Sequence, residues 1–205
     1  MKEYLEECIT VFGESFNGGA TTPARTDLFK VDDDAATLDE ERKDIFHHIV
    51  AKLLFVAKRG RPDLDLTISF LCSRVDKSTE QDWLKLRRLL HYINGTIRLK
   101  RFISVDDCKT LRTWVDASYG VHMDIRGHTG GAMSLGSGLI HHKSSKQRLN
   151  TKSSTETELV GASDYMPHNA WLKRFLQKQG YELQDNIYYQ DNESTMKLEG
   201  KCKIR

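Results

Sequence analysis

The sequence has few prolines, no closely spaced cysteines and no long apolar run, and each of these features argues against a class of protein. Only three of the 205 residues are proline, which does not fit a collagen-like or a proline-rich disordered chain. The four cysteines, Cys8, Cys72, Cys108 and Cys202, stand singly without the spacing of a structural zinc site, which favours reduced thiols. The most apolar stretch, residues 49–57, contains Lys52 and falls short of the roughly 20 residues that span a bilayer.

The amino terminus also lacks the apolar core of a signal peptide, because Glu3, Glu6 and Glu7 fall where that core would lie. We therefore expect an intracellular protein, cytoplasmic or nuclear, with no membrane partner. The net charge is only +2, with an acidic excess before residue 38 and a basic excess after it. This distribution is compatible with nucleic-acid binding but is too weak to establish it.

The hydrophobic pattern divides the chain into three segments. Residues 1–40 predict a short helix followed by an acidic linker that begins at residue 15 and contains glycine, proline and threonine. Residues 41–101 predict a helical segment, and residues 102–205 predict a domain of short strands and helices.

Two amphipathic helices dominate the helical segment. Apolar residues recur every three or four positions from residue 46 to 57 and again from 83 to 93, and glycines end both runs. Ser78 and Gln81 have the spacing of a capping box for the second helix. Residues 64–75 fit either a helix or a strand, and we favour a helix.

The last segment predicts a mixed α/β fold. Residues 111–117, 128–136 and 139–145 predict three consecutive antiparallel strands, with a tight turn at Ser137-Gly138. A helix from about Thr155 follows, and Pro167 is expected to kink or split it. The core-facing positions of this helix are predicted to be Leu159, Ala162, Met166 and Ala170. Residues 187–191 predict a further strand, and a short helix follows it.

Three acidic residues stand at the ends of these elements. Asp116 ends the first strand, Glu158 lies in the first turn of the helix, and Asp191 ends the later strand. A crossover helix places the later strand parallel to the first, so both strand ends meet at one edge of the sheet. Three converging carboxylates repel one another unless they are hydrated or bind hard divalent cations, as in two-metal phosphodiester hydrolysis.

These blocks resemble a known family. The segments WVDASYG (114–120), SSTETELVGAS (153–163) and YYQDNESTMKLE (188–199) resemble the ribonuclease H domain of copia-type retrotransposon Pol polyproteins. Residues 46–75 and 78–96 resemble the helical segment that connects reverse transcriptase to that domain. The resemblance covers roughly residues 40–200, and three blocks in order are more specific than any single motif.

The resemblance implies a ribonuclease H-like mixed sheet preceded by a helical connection segment. It implies that Asp116, Glu158 and Asp191 are catalytic and bind two magnesium ions, or manganese, to cleave the RNA strand of an RNA/DNA hybrid. Glu156 is a competing candidate, but the family pattern favours the acid directly before the apolar run, which is Glu158. The remainder of a Pol polyprotein is an expected partner.

A basic, acid-free loop precedes the helix that carries Glu158. Its candidate nucleic-acid-binding residues are Lys143, Lys146, Arg148, Lys152, Ser153, Ser154 and Thr155. A solvated loop explains the cations equally well, and helix capping explains the three hydroxyl residues equally well. Trp114 and Trp171 are expected in the core, and the pairs His47-His48 and His141-His142 lack metal-ligand spacing.

The family pattern also includes a fourth carboxylate in a C-terminal element, and the expected fold is truncated before that element. Only Glu193 and Glu199 follow Asp191, and neither has the expected sequence context. Two hypotheses therefore stand. The chain is either a ribonuclease H-type hydrolase within a Pol fragment, or a non-catalytic transposon remnant that at most binds nucleic acid.

Overall fold

The computed structural model describes residues 1–106 and 108–201, with side chains up to residue 197. The chain forms two units, Met1–Arg101 and Phe102–Arg205. The expectations for Glu199 and Cys202 concern side chains outside the described residues. No helix of the described chain combines the length and the apolar content that crossing a bilayer requires.

The first unit is helical. Its helices are α1 (Lys2–Phe12), α2 (Glu40–Arg59), α3 (Asp65–Cys72) and α4 (Glu80–Gly95). Asp39 caps α2 by accepting a hydrogen bond of 2.8 Å from the backbone N–H of Arg42. The two amphipathic helices predicted from periodicity are present, and α3 forms a helix over residues 65–72 of the ambiguous stretch 64–75, as favoured.

The capping box of α4 lies one residue later than predicted. The side chain of Thr79 accepts a hydrogen bond from the backbone N–H of Asp82, whose carboxylate accepts from the backbone N–H of Thr79. Ser78 is buried, and its hydroxyl has no hydrogen-bond partner among the described residues. Both pairs have the spacing of a capping box, and Asp82 replaces Gln81 because its carboxylate also pairs with Arg74 at 3.1 Å.

Residues 15–39, interpreted above as a linker, form no helix but pack against the helical unit. Leu28 and Leu38 are buried in its core, and Thr37 forms an isolated bridge with Thr79. Burial of these two leucines holds the segment against the helical unit, although most of its residues are polar. The segment is therefore packed chain and not a free linker.

The second unit is a four-stranded mixed sheet with a helix on one face. Its elements are β1 (Thr110–Ser118), β2 (His128–Ser134), β3 (His141–Lys146), α5 (Ser154–Lys178), β4 (Asp185–Tyr189) and α6 (Glu193–Lys201). The strand order is β3-β2-β1-β4; β1, β2 and β3 pair antiparallel, and β4 pairs parallel to β1. This confirms the predicted α/β class and is consistent with a ribonuclease H-like fold.

Two strand boundaries differ from the prediction. β2 ends at Ser134 and β3 begins at His141, so the connection is longer than the tight Ser137-Gly138 turn. The Ser134 hydroxyl donates to the carbonyls of Gly136 and Gly138, so these backbone acceptors of the connection have a hydrogen-bond partner. β4 ends at Tyr189, so Asp191 lies two residues beyond the strand.

The buried face of α5 is rotated from the one predicted. Ala162 is buried, but Leu159 and Met166 are exposed. The buried positions also include Thr157, Glu158 and Asn169. Because these residues are polar, the hydrophobic pattern of the sequence did not reveal that they face the interior. Asn169 is satisfied in the interior because its amide donates to the Thr113 hydroxyl at 2.7 Å. Pro167 lies inside α5 without splitting it.

A tyrosine from α5 anchors the helix to the sheet. Tyr165 is only 1% exposed and packs in the core that includes Leu111, Val115 and Met133. A Cβ at Gly131 of β2 would overlap the Tyr165 ring, so glycine is required for this approach. The contact fixes the distance between α5 and the strands that carry the acidic residues.

Candidate metal centre

The structure brings the three predicted carboxylates together. Asp116, Glu158 and Asp191 each offer one oxygen, and these oxygens all lie within 4.8 Å of one another. Asp116 and Asp191 are exposed to solvent, whereas Glu158 is buried. The cluster can therefore be reached from solvent while one of its members is held by the protein interior.

The parallel pair β1/β4 places the two aspartates at the same level. Trp114 of β1 is paired with Tyr189, the last residue of β4. Asp116 and Asp191 each lie two residues beyond this pair, and parallel strands run in the same direction. β1 continues to Ser118 after β4 has ended, which leaves that part of its edge open for the Glu158 carboxylate.

The beginning of α5 carries Glu158 to this edge; the helix starts at Ser154, so Glu158 lies just after the first turn and not within it as predicted. The Ser153 hydroxyl accepts a hydrogen bond of 3.2 Å from the backbone N–H of Glu156, and the Glu156 carboxylate accepts one of 2.6 Å from the backbone N–H of Lys152. These reciprocal bonds fix the beginning of the helix. Glu156 therefore has a capping role, and Glu158 is the acid that joins the cluster.

Sequence reasoning missed a buried residue that supports this turn. Gln147 is 1% exposed, and its side-chain amide donates to the Thr157 carbonyl and to the Thr129 hydroxyl, both at 2.9 Å. Thr157 also forms a buried hydrogen bond with the Thr151 hydroxyl. No local pattern reveals this role, because Gln147 lies in a polar loop and its partners come from β2 and α5.

Burial makes ionisation unfavourable at Glu158, the buried member of the cluster. Burial raises the pKa of Glu158 to about 7, and the charges of Asp116 and Asp191 act in the same direction. A backbone N–H from Ala117 and the side chain of Gln190 lower this pKa but do not reverse the shift. A hard divalent cation would relieve the repulsion, and an all-carboxylate donor set fits Mg²⁺ or Mn²⁺.

We expect Glu158→Gln to raise the unfolding temperature at pH 8 in the presence of EDTA. The Glu158 pKa is about 7 in the folded protein against an ordinary 4.5, so the folded protein binds the proton more tightly. Ionisation of Glu158 therefore lowers stability as the pH rises from about 4.5 through 7, and the penalty persists above that. Thermal unfolding of both proteins at pH 4 and pH 8 measures the difference.

Glu156→Gln is the matched control, because Glu156 lies in the same helical turn and is exposed. Its carboxylate accepts a backbone N–H at the positive end of the helix, so this variant should be slightly less stable at pH 8. Equal unfolding temperatures for wild type and Glu158→Gln at pH 8 would contradict the electrostatic account.

The predicted nucleic-acid-binding residues do not form one patch. Lys143 faces α5, where its ammonium group lies 3.5 Å from His168, and Lys146 pairs with Asp124 at 2.7 Å. The two lysines are three positions apart on β3, so they project from opposite faces of the sheet.

The remaining candidates lie at the beginning of α5. Arg148, Lys152 and Ser154 are exposed, and their side chains have no partner among the described residues. Ser153 caps the helix, and the Thr155 carbonyl accepts a hydrogen bond from Thr195. Three of the seven predicted residues are therefore exposed and unpaired among the described residues, in the loop before α5 and at its first residue.

The expectation that both tryptophans lie in the core is wrong. Trp114 is 39% exposed and stacks on Tyr189 with ring centroids 5.1 Å apart, and Trp171 is 65% exposed and stacks on Phe175. Alternation along β1 explains Trp114, because Val115 points towards α5 and its neighbours point away. Trp114 and Tyr189 lie two residues before Asp116 and Asp191, respectively.

Comparison with curated proteins relates the chain to retrotransposon polyproteins. It is 24% identical over 202 residues to the retrovirus-related Pol polyprotein from transposon TNT 1-94 of Nicotiana tabacum, which covers 96% of this chain and 15% of that protein. It is 28% identical over 149 residues to the Pol polyprotein from transposon RE2 of Arabidopsis thaliana, covering 72% of this chain and 10% of that protein. A putative transposon Ty5-1 protein of Saccharomyces cerevisiae is 31% identical over 132 residues, covering 62% of this chain and 43% of that protein.

Homologues of the chain are therefore copia-type retrotransposon Pol polyproteins, as the resemblance implied. The chain spans about a seventh of the TNT 1-94 polyprotein and a tenth of the RE2 polyprotein. No protein-family model matches the sequence, and no solved structure matches it either.

Proposed function

We propose that the second unit is a ribonuclease H-type nuclease within a Pol polyprotein fragment, and that it cleaves the RNA strand of RNA/DNA hybrids. The observation that carries this proposal is the convergence of Asp116, Glu158 and Asp191 within 4.8 Å. Within the same proposal, residues 41–101 correspond to the reverse transcriptase connection segment, which follows an N-terminal segment of residues 1–40. The rest of the polyprotein is then the natural partner of the chain.

The three carboxylates would hold two magnesium or manganese ions. Bound ions of this kind activate water and stabilise the charge on the attacking and leaving oxygens. The protein contributes a rigid donor set, since β1 and β4 position two of the acids and the capped first turn of α5 positions the third. The buried Glu158 requires a positive charge nearby once it ionises, which favours occupancy of the site at neutral pH.

Exposed groups around the carboxylates suit a nucleic-acid strand. Arg148 and Lys152 offer unpaired cations for phosphate contacts in the loop that leads into α5, and Ser154 offers a hydroxyl. Trp114 and Tyr189 offer a flat stacked surface beside Asp116 and Asp191. Aromatic faces of this kind bind bases or sugars of a strand without sequence preference.

The test is cleavage of an end-labelled RNA strand annealed to DNA, with the full chain in Mg²⁺ and separately in Mn²⁺. We expect cleavage that EDTA abolishes, and no cleavage of the DNA strand. A folded protein that binds the hybrid but leaves it intact with both metals would overturn the hydrolytic function. That result would support the alternative, a remnant that only binds nucleic acid.

A further inference from the structure

The first unit contains a cavity that the proposed nuclease does not use. Its volume is about 390 Å³, and it lies between α4, Thr67 of α3 and residues 24–28. Its charged lining consists of four cations, Arg25, Lys85, Arg87 and Arg88, and a single acid, Asp27. This volume falls within the range of small-ligand sites.

The helical repeat of α4 explains why the cations gather there. Leu84, Lys85 and Arg88 are spaced by one helical turn or less, so they share the face that lines the cavity. Trp83 and Leu86 lie on the opposite face and are buried in the core of the unit. The apolar packing of α4 therefore presents its basic face to the cavity.

Among the described residues, three of the four cavity cations lack the carboxylate partner that several other cations of the same unit have. Arg42, Lys58, Arg61 and Arg74 each pair with a carboxylate. Among the cavity cations, only Arg87 has such a partner, which is Glu14 at 2.5 Å. The Arg25 guanidinium has no partner among the described residues.

Lys85 and Arg88 bond to neutral oxygens instead of carboxylates. The Lys85 ammonium donates to the Lys30 carbonyl and to the Gln81 side chain, and Arg88 donates to the Thr22 hydroxyl at 2.9 Å. Burial lowers the pKa of Lys85, and the charges of Asp82 and Asp27 oppose this shift without reversing it. An anion in the cavity would add to the negative charge that these two carboxylates supply.

Two residues that line the cavity each carry a buried polar atom with no partner among the described residues. Thr67 is 1% exposed, and its hydroxyl forms no hydrogen bond among the described residues. The Nε of Arg88 is also buried without an acceptor. Unpaired buried donors are unfavourable and rare in folded proteins, so a ligand with several acceptor oxygens would stabilise this arrangement.

We propose that this cavity binds a phosphate group, carried either by a free nucleotide or by the backbone of a nucleic-acid strand. A phosphate supplies acceptor oxygens for Arg88 and Thr67, and it supplies negative charge to a lining in which four cations face a single acid. Leu28 and Leu84 form an apolar wall against which the attached base or sugar packs. The proposal concerns the first unit and does not depend on the carboxylate cluster.

Two probes distinguish the sources of the phosphate. Calorimetric titration with AMP tests a free nucleotide, and anisotropy of a fluorescein-labelled 12-nucleotide oligothymidylate tests a strand. EDTA is present throughout, so metal at the carboxylate cluster does not contribute. We expect saturable binding of at least one probe, and which one binds identifies the source.

Arg88→Gln and Lys85→Gln are expected to weaken that binding about tenfold each, because each removes a charge-assisted hydrogen bond. Arg98→Gln is the matched control, since Arg98 is an exposed cation that is not part of the lining. Thr67→Val keeps the side-chain shape and removes the unpaired hydroxyl. It should fold at least as stably as wild type and still bind the probe more weakly.

The proposal would be overturned if neither probe bound. Equal losses in Arg88→Gln, Lys85→Gln and Arg98→Gln would also overturn it, because that pattern indicates general attraction to positive charge. If Arg88→Gln and Lys85→Gln unfold, Thr67→Val decides the question, and unchanged affinity in that variant would count against the site. Hybrid cleavage is measured separately, so either proposal can fail alone.

Discussion

Asp116→Asn is expected to reduce metal-dependent cleavage of an RNA/DNA hybrid by more than about 100-fold, because even loss of a group that only supports a metal ligand typically costs 10- to 100-fold. Asparagine keeps the shape of the side chain but removes a charge from the cluster of Asp116, Glu158 and Asp191. Single-turnover cleavage rates in saturating Mg²⁺ measure the loss. A residual rate within tenfold of wild type would contradict the assignment of Asp116 as a ligand.

The loss should not result from unfolding. Asp116 is exposed, and its charge raises the pKa of Glu158, so its removal relieves repulsion in the metal-free protein. We therefore expect Asp116→Asn to be at least as stable as wild type at pH 8 in EDTA. Glu156→Gln is the matched control for activity, because it removes a nearby acid that does not join the cluster, and it should retain cleavage within a few-fold.

Tyr165→Ala is expected to destabilise the second unit by about 3–5 kcal/mol, the usual cost of truncating a large buried aromatic residue. Tyr165 is 1% exposed, and its hydroxyl forms a hydrogen bond of 2.8 Å with Nδ1 of His141. Native-state hydrogen exchange of the β1 and β2 amides measures the effect on this unit alone. Tyr181→Ala is the control, since Tyr181 is 47% exposed and should change stability little.

A double mutant tests the specific contact. Gly131→Ala alone should cost about 1–3 kcal/mol, because the new methyl group overlaps the Tyr165 ring and overpacking has this cost. In the Tyr165→Ala background that ring is gone, so the added methyl should cost much less. Additive effects would show that Gly131 and Tyr165 do not constrain each other.

The predictable features of the fold were those with strong local signals. The recurrence of apolar residues at helical spacing located α2 and α4, and short β-type runs separated by glycines located β1, β2 and β3. Boundaries were less certain where two local patterns competed. The capping box of α4 moved to Thr79 and Asp82 because the carboxylate also gained a partner from another segment, Arg74.

Side-chain orientation was harder to predict than secondary structure. Leu159 and Met166 suggested the core face of α5, yet the buried face carries Thr157, Glu158 and Asn169. Trp114 was expected inside because it is large and apolar, but its position on β1 directs it away from α5. In both cases, the way in which α5 packs against the sheet decided which side chains are buried.

The sequence by itself determined which elements form, their order along the chain, and the placement of Asp116, Glu158 and Asp191 near element ends. These properties follow from local periodicity and from the rule that a crossover helix joins parallel strands. Only the tertiary structure decided that the three carboxylates lie within 4.8 Å, and that Gln147 supports the first turn of α5. It also brought four cations and the buried Thr67 together around one cavity. Such arrangements join residues distant in the chain, so their geometry depends on packing that no local pattern records.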